Sequence, residues 1–218
     1  MTEKTKNEQS NKMLLFLAVI IVVVGAIGIV FLASRVGEMQ GTGPVANATL
    51  TDFTGVTEIE SAPVADFTLT DQNGDPMRLS DMAGKPTMVF FGFTHCPDLC
   101  PTTLGEYRQI YEKIGEDRVN FVFVSVDGER DTPEVIKQYL EAKLVPYVIG
   151  LTGDLNTVLN AGAPFGLVAE HGPKDENGNY DVIHTSSIFF IDREGQLVAK
   201  YAYGTPIETM IEDVEARL

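Results

Sequence analysis

Gly92-Phe93-Thr94-His95-Cys96-Pro97-Asp98-Leu99-Cys100-Pro101 holds both cysteines of the chain, with three residues between them. Upstream, residues 87–93 form an apolar and β-branched run of the kind expected in a strand covered on both faces. Downstream, Leu104, Tyr107, Ile110, Tyr111 and Ile114 recur at helical spacing. Two sulfurs therefore sit where a buried strand turns into a helix. With Pro97 opening that helix, the two cysteine side chains stand about one turn apart on one side. Such a pair can close a disulfide or hold a soft metal ion between two thiolates.

Outward from this corner the chain alternates strand and helix. Residues 67–70 and 77–79 pair as a hairpin through Asn73-Gly74, which supplies the positive φ angles of a tight turn. Residues 80–86 make a turn or a single helical turn. Residues 119–126 are a second buried strand. A helix then starts at Asp131-Thr132-Pro133-Glu134, with Asp131 as its cap, and runs to about residue 143. Residues 147–151 and 165–170 are strand candidates, and residues 154–161 form a helix with Gly162 at its end. A hairpin of residues 187–191 and 197–203 turns at Arg193-Glu194-Gly195, and Thr205-Pro206-Ile207-Glu208 starts the last helix. This order predicts an α/β domain. It is a thioredoxin-like mixed sheet flanked by helices, with an added N-terminal hairpin, over residues 63–218.

The N-terminus is of another kind. Residues 13–33 are an unbroken run of 21 apolar or glycine residues, roughly 30 Å as a helix, which matches a bilayer core. A cleaved signal peptide has a shorter core with a small-residue site close behind it, whereas Arg35, Glu38 and Gln40 follow here. Lys4, Lys6 and Lys12 precede the run, so residues 1–12 stay cytoplasmic and the C-terminal part faces outward. The expected arrangement is a single-pass anchor in the inner membrane, a flexible linker over residues 34–62, and a head in the periplasm or its equivalent. Thiols tend to oxidise in that compartment.

The net charge is −15, and residues 36–218 alone carry 12 basic and 29 acidic side chains. Such a surface repels nucleic acid and suits solubility or a cationic partner.

The thiols have two chemistries open to them. A loop this short gains little as a structural staple. Asp98, between the sulfurs, is expected to oppose thiolate formation, whereas a metal displaces the proton itself. Two thiolates suit Cu(I), which accepts few ligands, while Zn(II) wants four. Three histidines could add a ligand. His95 adjoins Cys96 and reads as a surface or packing residue. His171, among Glu170, Gly172 and Pro173, reads as solvated. His184 enters the strand of residues 187–191, whose start faces the cysteine corner, so it is the candidate for a Cys2His site. Asp127, Arg130 and Asp131 read as loop and cap formers.

The stretch of residues 92–101 resembles the signature of the Sco/SenC family of membrane-anchored copper proteins. Val126-Asp127-Gly128-Glu129-Arg130-Asp131-Thr132-Pro133 is similar to that family's second motif, and His184-Thr185-Ser186-Ser187-Ile188-Phe189-Phe190-Ile191-Asp192 to its third. The resemblance covers residues 63–218 together with the anchor. It implies a thioredoxin-like fold with copper, as Cu(I) or Cu(II), on Cys96, Cys100 and His184. It also implies a chaperone role in building the dinuclear copper site of cytochrome c oxidase subunit II or another membrane cuproprotein. Many relatives carry an acid where this chain has Ile183, which leaves open what orients His184. The other reading is a thiol–disulfide oxidoreductase using Cys96 and Cys100 as a redox-active pair on a membrane-bound partner. A peroxidase is the weakest fit, because no arginine precedes Arg108 after Cys96.

Overall fold

The computed structural model describes residues 55–115 and 117–218. The apolar run of residues 13–33, the expected cytoplasmic residues 1–12 and most of the expected linker lie outside them. Among the described residues no helix is long and apolar enough to cross a membrane.

Ten strands and four α-helices follow one another along the described chain. The strands are β1 (Val56–Pro63), β2 (Thr68–Asp71), β3 (Pro76–Arg78), β4 (Thr87–Gly92), β5 (Asn120–Ser125), β6 (Ile149–Thr152), β7 (Ala169–His171), β8 (Val182–His184), β9 (Ile188–Ile191) and β10 (Gln196–Tyr201). The helices are α1 (Leu99–Ile114), α2 (Pro133–Ala142), α3 (Leu155–Gly162) and α4 (Ile207–Ala216). Eight strands make one sheet in the order β1-β10-β9-β4-β5-β6-β2-β3, and β7 and β8 form a separate hairpin. β4, β5 and β6 are parallel to one another, and the remaining pairings in the large sheet are antiparallel. The expected strand–helix–strand–helix order, closed by a hairpin and a helix, is present.

β4 is buried at every position because both faces are covered, as its unbroken apolar sequence requires. Its side chains alternate between two aromatic clusters. Phe91 meets Phe165 (5.4 Å between ring centroids) and Phe189 (6.1 Å). Phe90, on the opposite face, meets Phe123 of β5 (6.2 Å). α1 buries Cys100, Thr103, Leu104, Tyr107, Ile110 and Ile114, one stripe at three- and four-residue spacing. The sheet thus fixes the C-terminal end of β4, and α1 is held flat against the core just beyond it.

Several sequence expectations are corrected. Residues 56–62 are not linker. They form most of β1, whose residues pair with β10 from Val56↔Tyr201 to Pro63↔Gln196. β1 is further tied to the last helix by Arg217, which bonds both Glu58 and Asp213, while Tyr201 Oη donates to Asp213 Oδ2 at 2.7 Å. Neither strand nor helix periodicity marks this segment, because its side chains are largely exposed and only its backbone is used. α1 begins at Leu99 rather than at Pro97. Thr132, not Asp131, caps α2, accepting from Val135 N at 3.4 Å, because the Asp131 carboxylate is engaged inside the protein. Thr205 does not cap α4. Its hydroxyl donates to Ala202 O at 2.7 Å, and α4 opens after Pro206 without a side-chain cap. The β2–β3 turn carries its positive φ at Gly74 alone, with Asp71 Oδ1 accepting from the backbone of Asn73 and Asp75. α3 ends at Gly162, but the positive-φ stop is Gly166, one 3-10 turn later.

Candidate metal centre

Cys96 lies in the loop after β4, and Cys100 in the first turn of α1. Although the helix starts after Pro97, the sulfurs still converge, because the loop folds back over the helix N-terminus. Cys96 Sγ accepts the Cys100 backbone N–H at 3.4 Å, and Cys96 N donates to Phe93 O at 3.3 Å. Asp98, although at the cap position, makes no side-chain cap, and its carbonyl accepts from Thr102 N and Thr102 Oγ1. Cys96 thus provides the capping acceptor, where the partial positive charge of the helix end favours anionic sulfur. Both cysteines are free thiols; Cys96 is half-buried and Cys100 buried.

His184 closes the triangle. Its Nε2 lies 3.8 Å from Cys100 Sγ, and the two sulfurs and a His184 ring nitrogen all fall within 4.8 Å of one another. The ring stands edge-on to Phe93 (5.5 Å) and Phe90 (6.0 Å). Its Nδ1–H donates to Thr185 O at 2.9 Å, which leaves the Nε2 lone pair facing the sulfurs. A backbone carbonyl therefore orients the ring, and the side chain of residue 183 takes no part: Ile183 is 67% exposed. Burial lowers the His184 pKa, more than the backbone contacts raise it, and so keeps the imidazole neutral and able to ligate.

Burial also pushes the Cys100 thiol well up, with the Cys96 sulfur and Asp131 adding to it. Asp98, expected to be the opposing acid, is exposed, and the inward-facing carboxylate is Asp131. A proton on so buried a thiol leaves most readily when a cation replaces it.

β8 carries His184 and has no counterpart in the sequence pattern. It pairs with β7 through Ala169↔His184, Glu170↔Ile183 and His171↔Val182. The hairpin is held to the loop after β5 by His171, whose Nε2–H donates to Val126 O at 2.9 Å, and by Arg130, stacked at 3.8 Å on the Tyr180 ring. His171 is thus a half-buried structural donor, not a solvated one. Lys174 pairs with Glu129 across the same gap.

The remaining motif residues build the floor. Asp131 is fully buried and accepts from Thr94 N (2.8 Å), Thr94 Oγ1 (2.6 Å) and Ser125 Oγ (2.6 Å). It pins the start of the cysteine loop to the end of β5. Asp127, also buried, accepts from Tyr180 Oη and Arg130 Nε, each at 2.5 Å. His95 is exposed and 3.6 Å from Asp131 Oδ1; together with Asp127 and Asp131 it forms a second titratable group beside the first. The Asp127 and Asp131 oxygens there are already spent on protein donors. Thr94 and Gly92 lie inside the first motif, but neither periodicity nor ligand chemistry singles them out from its other residues. Gly92 is required because a β-carbon there would lie 2.9 Å from Cys100 Sγ and 2.8 Å from Phe90 Cε1.

The donor set fits copper. First-row metal bonds of about 2.0–2.3 Å to imidazole and thiolate place trigonal ligand atoms about 3.7–4.0 Å apart, and the Cys100–His184 edge already measures 3.8 Å.

Comparison with known proteins gives one family. The SCO1/SenC family model matches residues 57–218. A mitochondrial SCO2 homologue of Mus musculus is 32% identical over 157 residues, which are 70% of this chain and 61% of the relative. The chain thus spans less than two thirds of that relative's length. Among solved structures, copper-bound ScoI of Bradyrhizobium japonicum is similar at 38% identity and a TM-score of 0.65, over 72% of this chain and all of that one. Apo Sco1 of Thermus thermophilus is similar at 38% identity and a TM-score of 0.68, over 75% and 96%.

Proposed function

The chain belongs to the SCO1/SenC family, and from that premise we propose that it is a copper carrier that serves assembly of the dinuclear copper site of cytochrome c oxidase subunit II. The observation that supports this most directly is the convergence of Cys96 Sγ, Cys100 Sγ and His184 within 4.8 Å, with the imidazole neutral and aimed by Thr185 O. Copper is the cargo. Cys100 and His184 hold it from the buried side, and Cys96, half-buried at the mouth, is the ligand an acceptor thiolate displaces first. Three ligands suit a carrier, because a soft ion held by few donors can pass by ligand exchange without a high-energy naked state.

In this reading residues 13–33 anchor the protein in the inner membrane, with the described domain outside. Residues 34–55 tether it, reaching at most about 75 Å when extended. That length lets the head meet a membrane-bound acceptor. Thiol–disulfide exchange would use the same two sulfurs but leaves His184 and its orienting bond without a role.

His184→Ala in the full chain tests the assignment. The variant is expected to lose tight copper binding in a competition titration, while both thiols remain open to alkylation and able to form a disulfide. Copper affinity equal to the parent's would overturn the ligand set.

A further inference from the structure

Four large apolar side chains are exposed among the described residues: Leu144 (66%), Val168 (56%), Ile183 (67%) and Tyr203 (43%). Leu144 leads into β6, at the end of the parallel strands away from the cysteines, and Tyr203 follows β10. Val168 and Ile183 belong to one hairpin. Thr185 N donates to Val168 O and Val168 N donates to Thr185 Oγ1, each at 3.0 Å, which carries the β7–β8 register one step beyond Ala169↔His184. Side chains alternate between faces along each strand. Ala169, His171, Val182 and His184 are buried or half-buried on the inner face, and Val168, Glu170, Asp181 and Ile183 are exposed on the outer one. There Val168 and Ile183 are diagonal neighbours, roughly 7–8 Å apart, and Glu170 is opposite Ile183. Single exposed apolar residues are ordinary surface, but an adjacent pair with a polar rim marks a contact site. This rim is acidic. Glu170 and Asp181 share the face, Asp98 is exposed between the cysteines, and among the described residues the nearby cations are engaged, Lys174 by Glu129 and Arg130 by Asp127. A second copy of the chain would set like charges against these, and an anionic lipid surface is repelled for the same reason. The complement is a protein surface with an apolar centre and a Lys/Arg rim.

We propose that the outer face of the β7–β8 hairpin, centred on Val168 and Ile183, is where the copper acceptor docks, and that the acceptor meets it with apolar side chains ringed by basic ones. Ile183 and Thr185 flank His184 in the chain, so a partner seated there is held beside the metal centre and ligand exchange proceeds within one complex. The inference rests on the carrier reading for the identity of the acceptor, but docking itself is measured without copper.

The probe is metal-free cytochrome c oxidase subunit II of the same organism. Val168→Thr with Ile183→Thr in the full chain removes the apolar pair and keeps β-branched side chains in the hairpin. Glu170→Lys tests the rim, and Leu144→Asn, suited to a φ of 61°, removes an equally exposed apolar side chain elsewhere as the control. Three quantities are read: binding of subunit II to the copper-free chain, the rate of copper transfer to subsaturating subunit II, and copper affinity by competition. The double variant is expected to keep the parent's copper affinity but to bind subunit II about tenfold more weakly and transfer copper about tenfold more slowly, as loss of a central apolar contact predicts. Glu170→Lys is expected to weaken binding, and Leu144→Asn to change nothing. Parent binding is expected to weaken between about 0.01 and 0.15 M salt, as the Debye length falls from about 30 to 8 Å. No binding by the parent, parental binding by the double variant or by Glu170→Lys, an equal loss in Leu144→Asn, or binding that salt leaves unchanged would overturn the proposal. So would a parent dimer that the double variant disperses, since a second copy would then cover the face. A parent that binds subunit II through this pair yet transfers no copper would instead defeat the carrier reading and leave the docking surface standing.

Discussion

Replacing Gly92 by alanine puts a methyl group into the one place where strand, helix and metal ligand meet. Its β-carbon would lie 2.8 Å from Phe90 Cε1, 2.9 Å from Cys100 Sγ and 2.9 Å from Phe123 Cε2. Ordinary contacts for these pairs begin near 3.5 Å, so each of three fully buried neighbours must yield by about 0.6 Å at once. Phe90 and Phe123 belong to central strands and cannot swing aside, and Cys100 sits in the first turn of α1. Overpacking of this kind costs about 1–3 kcal/mol, a fall in melting temperature of roughly 3–10 °C for a domain of this size. The displacement also lands on the ligand, moving Cys100 Sγ off its 3.8 Å contact with His184. Gly105→Ala is the internal control. Gly105 is within α1, and nothing lies within 4 Å of its added β-carbon, so helix propensity alone acts and should stabilise by about 0.5–1 kcal/mol. Thermal melts of the copper-free proteins, with a copper competition titration, separate the two. A Gly92→Ala variant as stable as the parent and with unchanged copper affinity would refute the packing argument.

The other predictions are shorter. Burial alone raises the Glu106 carboxyl to about 7. The unfolded chain gives up this proton near pH 4.5 and the folded one near 7, so stability falls as pH rises through that window. Glu106→Gln should therefore raise stability at pH 8 by about 1–2 kcal/mol after allowing for solvent screening, and should change it little at about pH 4. Denaturant unfolding at the two pH values checks it, and equal gains at both would contradict the cause. Asp131→Asn replaces an acceptor of three donors by a group that accepts fewer and must place an NH2 in their midst. It is expected to cost about 2–4 kcal/mol and to weaken copper binding by releasing Thr94 and the loop after it. Unfolding curves and metal competition on one preparation measure both effects, and weaker stability with intact affinity would show that the loop holds itself.

Much of this protein is legible in its sequence. The buried run of β4, the helical stripe of α1 and the last hairpin follow from periodicity, because each element's pattern is set by which faces are covered. The three candidate ligands are also legible, since soft-metal chemistry needs thiolates and imidazole, and the chain has two cysteines and three histidines. The errors fall where backbone or tertiary contacts decide. β1 contributes mainly its main chain to the edge of the sheet, so its side chains give no signal. Asp131 has the right place for a helix cap, and only the folded loop shows its carboxylate turned inward to Thr94 and Ser125. His171 reads as a loop residue, and only the approach of Val126 O makes it a donor.

Most elements, their order and the kinds of atoms available to a metal are already present in the order of residues, because local periodicity and side-chain chemistry are properties of the chain. Folding adds that Cys100 and His184, 84 residues apart, stand at 3.8 Å, that Thr185 rather than residue 183 aims the imidazole, and that the third motif reaches the first on a separate hairpin. Those facts depend on the distance between segments remote in sequence, which is set by how the sheet, α1 and the β7–β8 hairpin pack together.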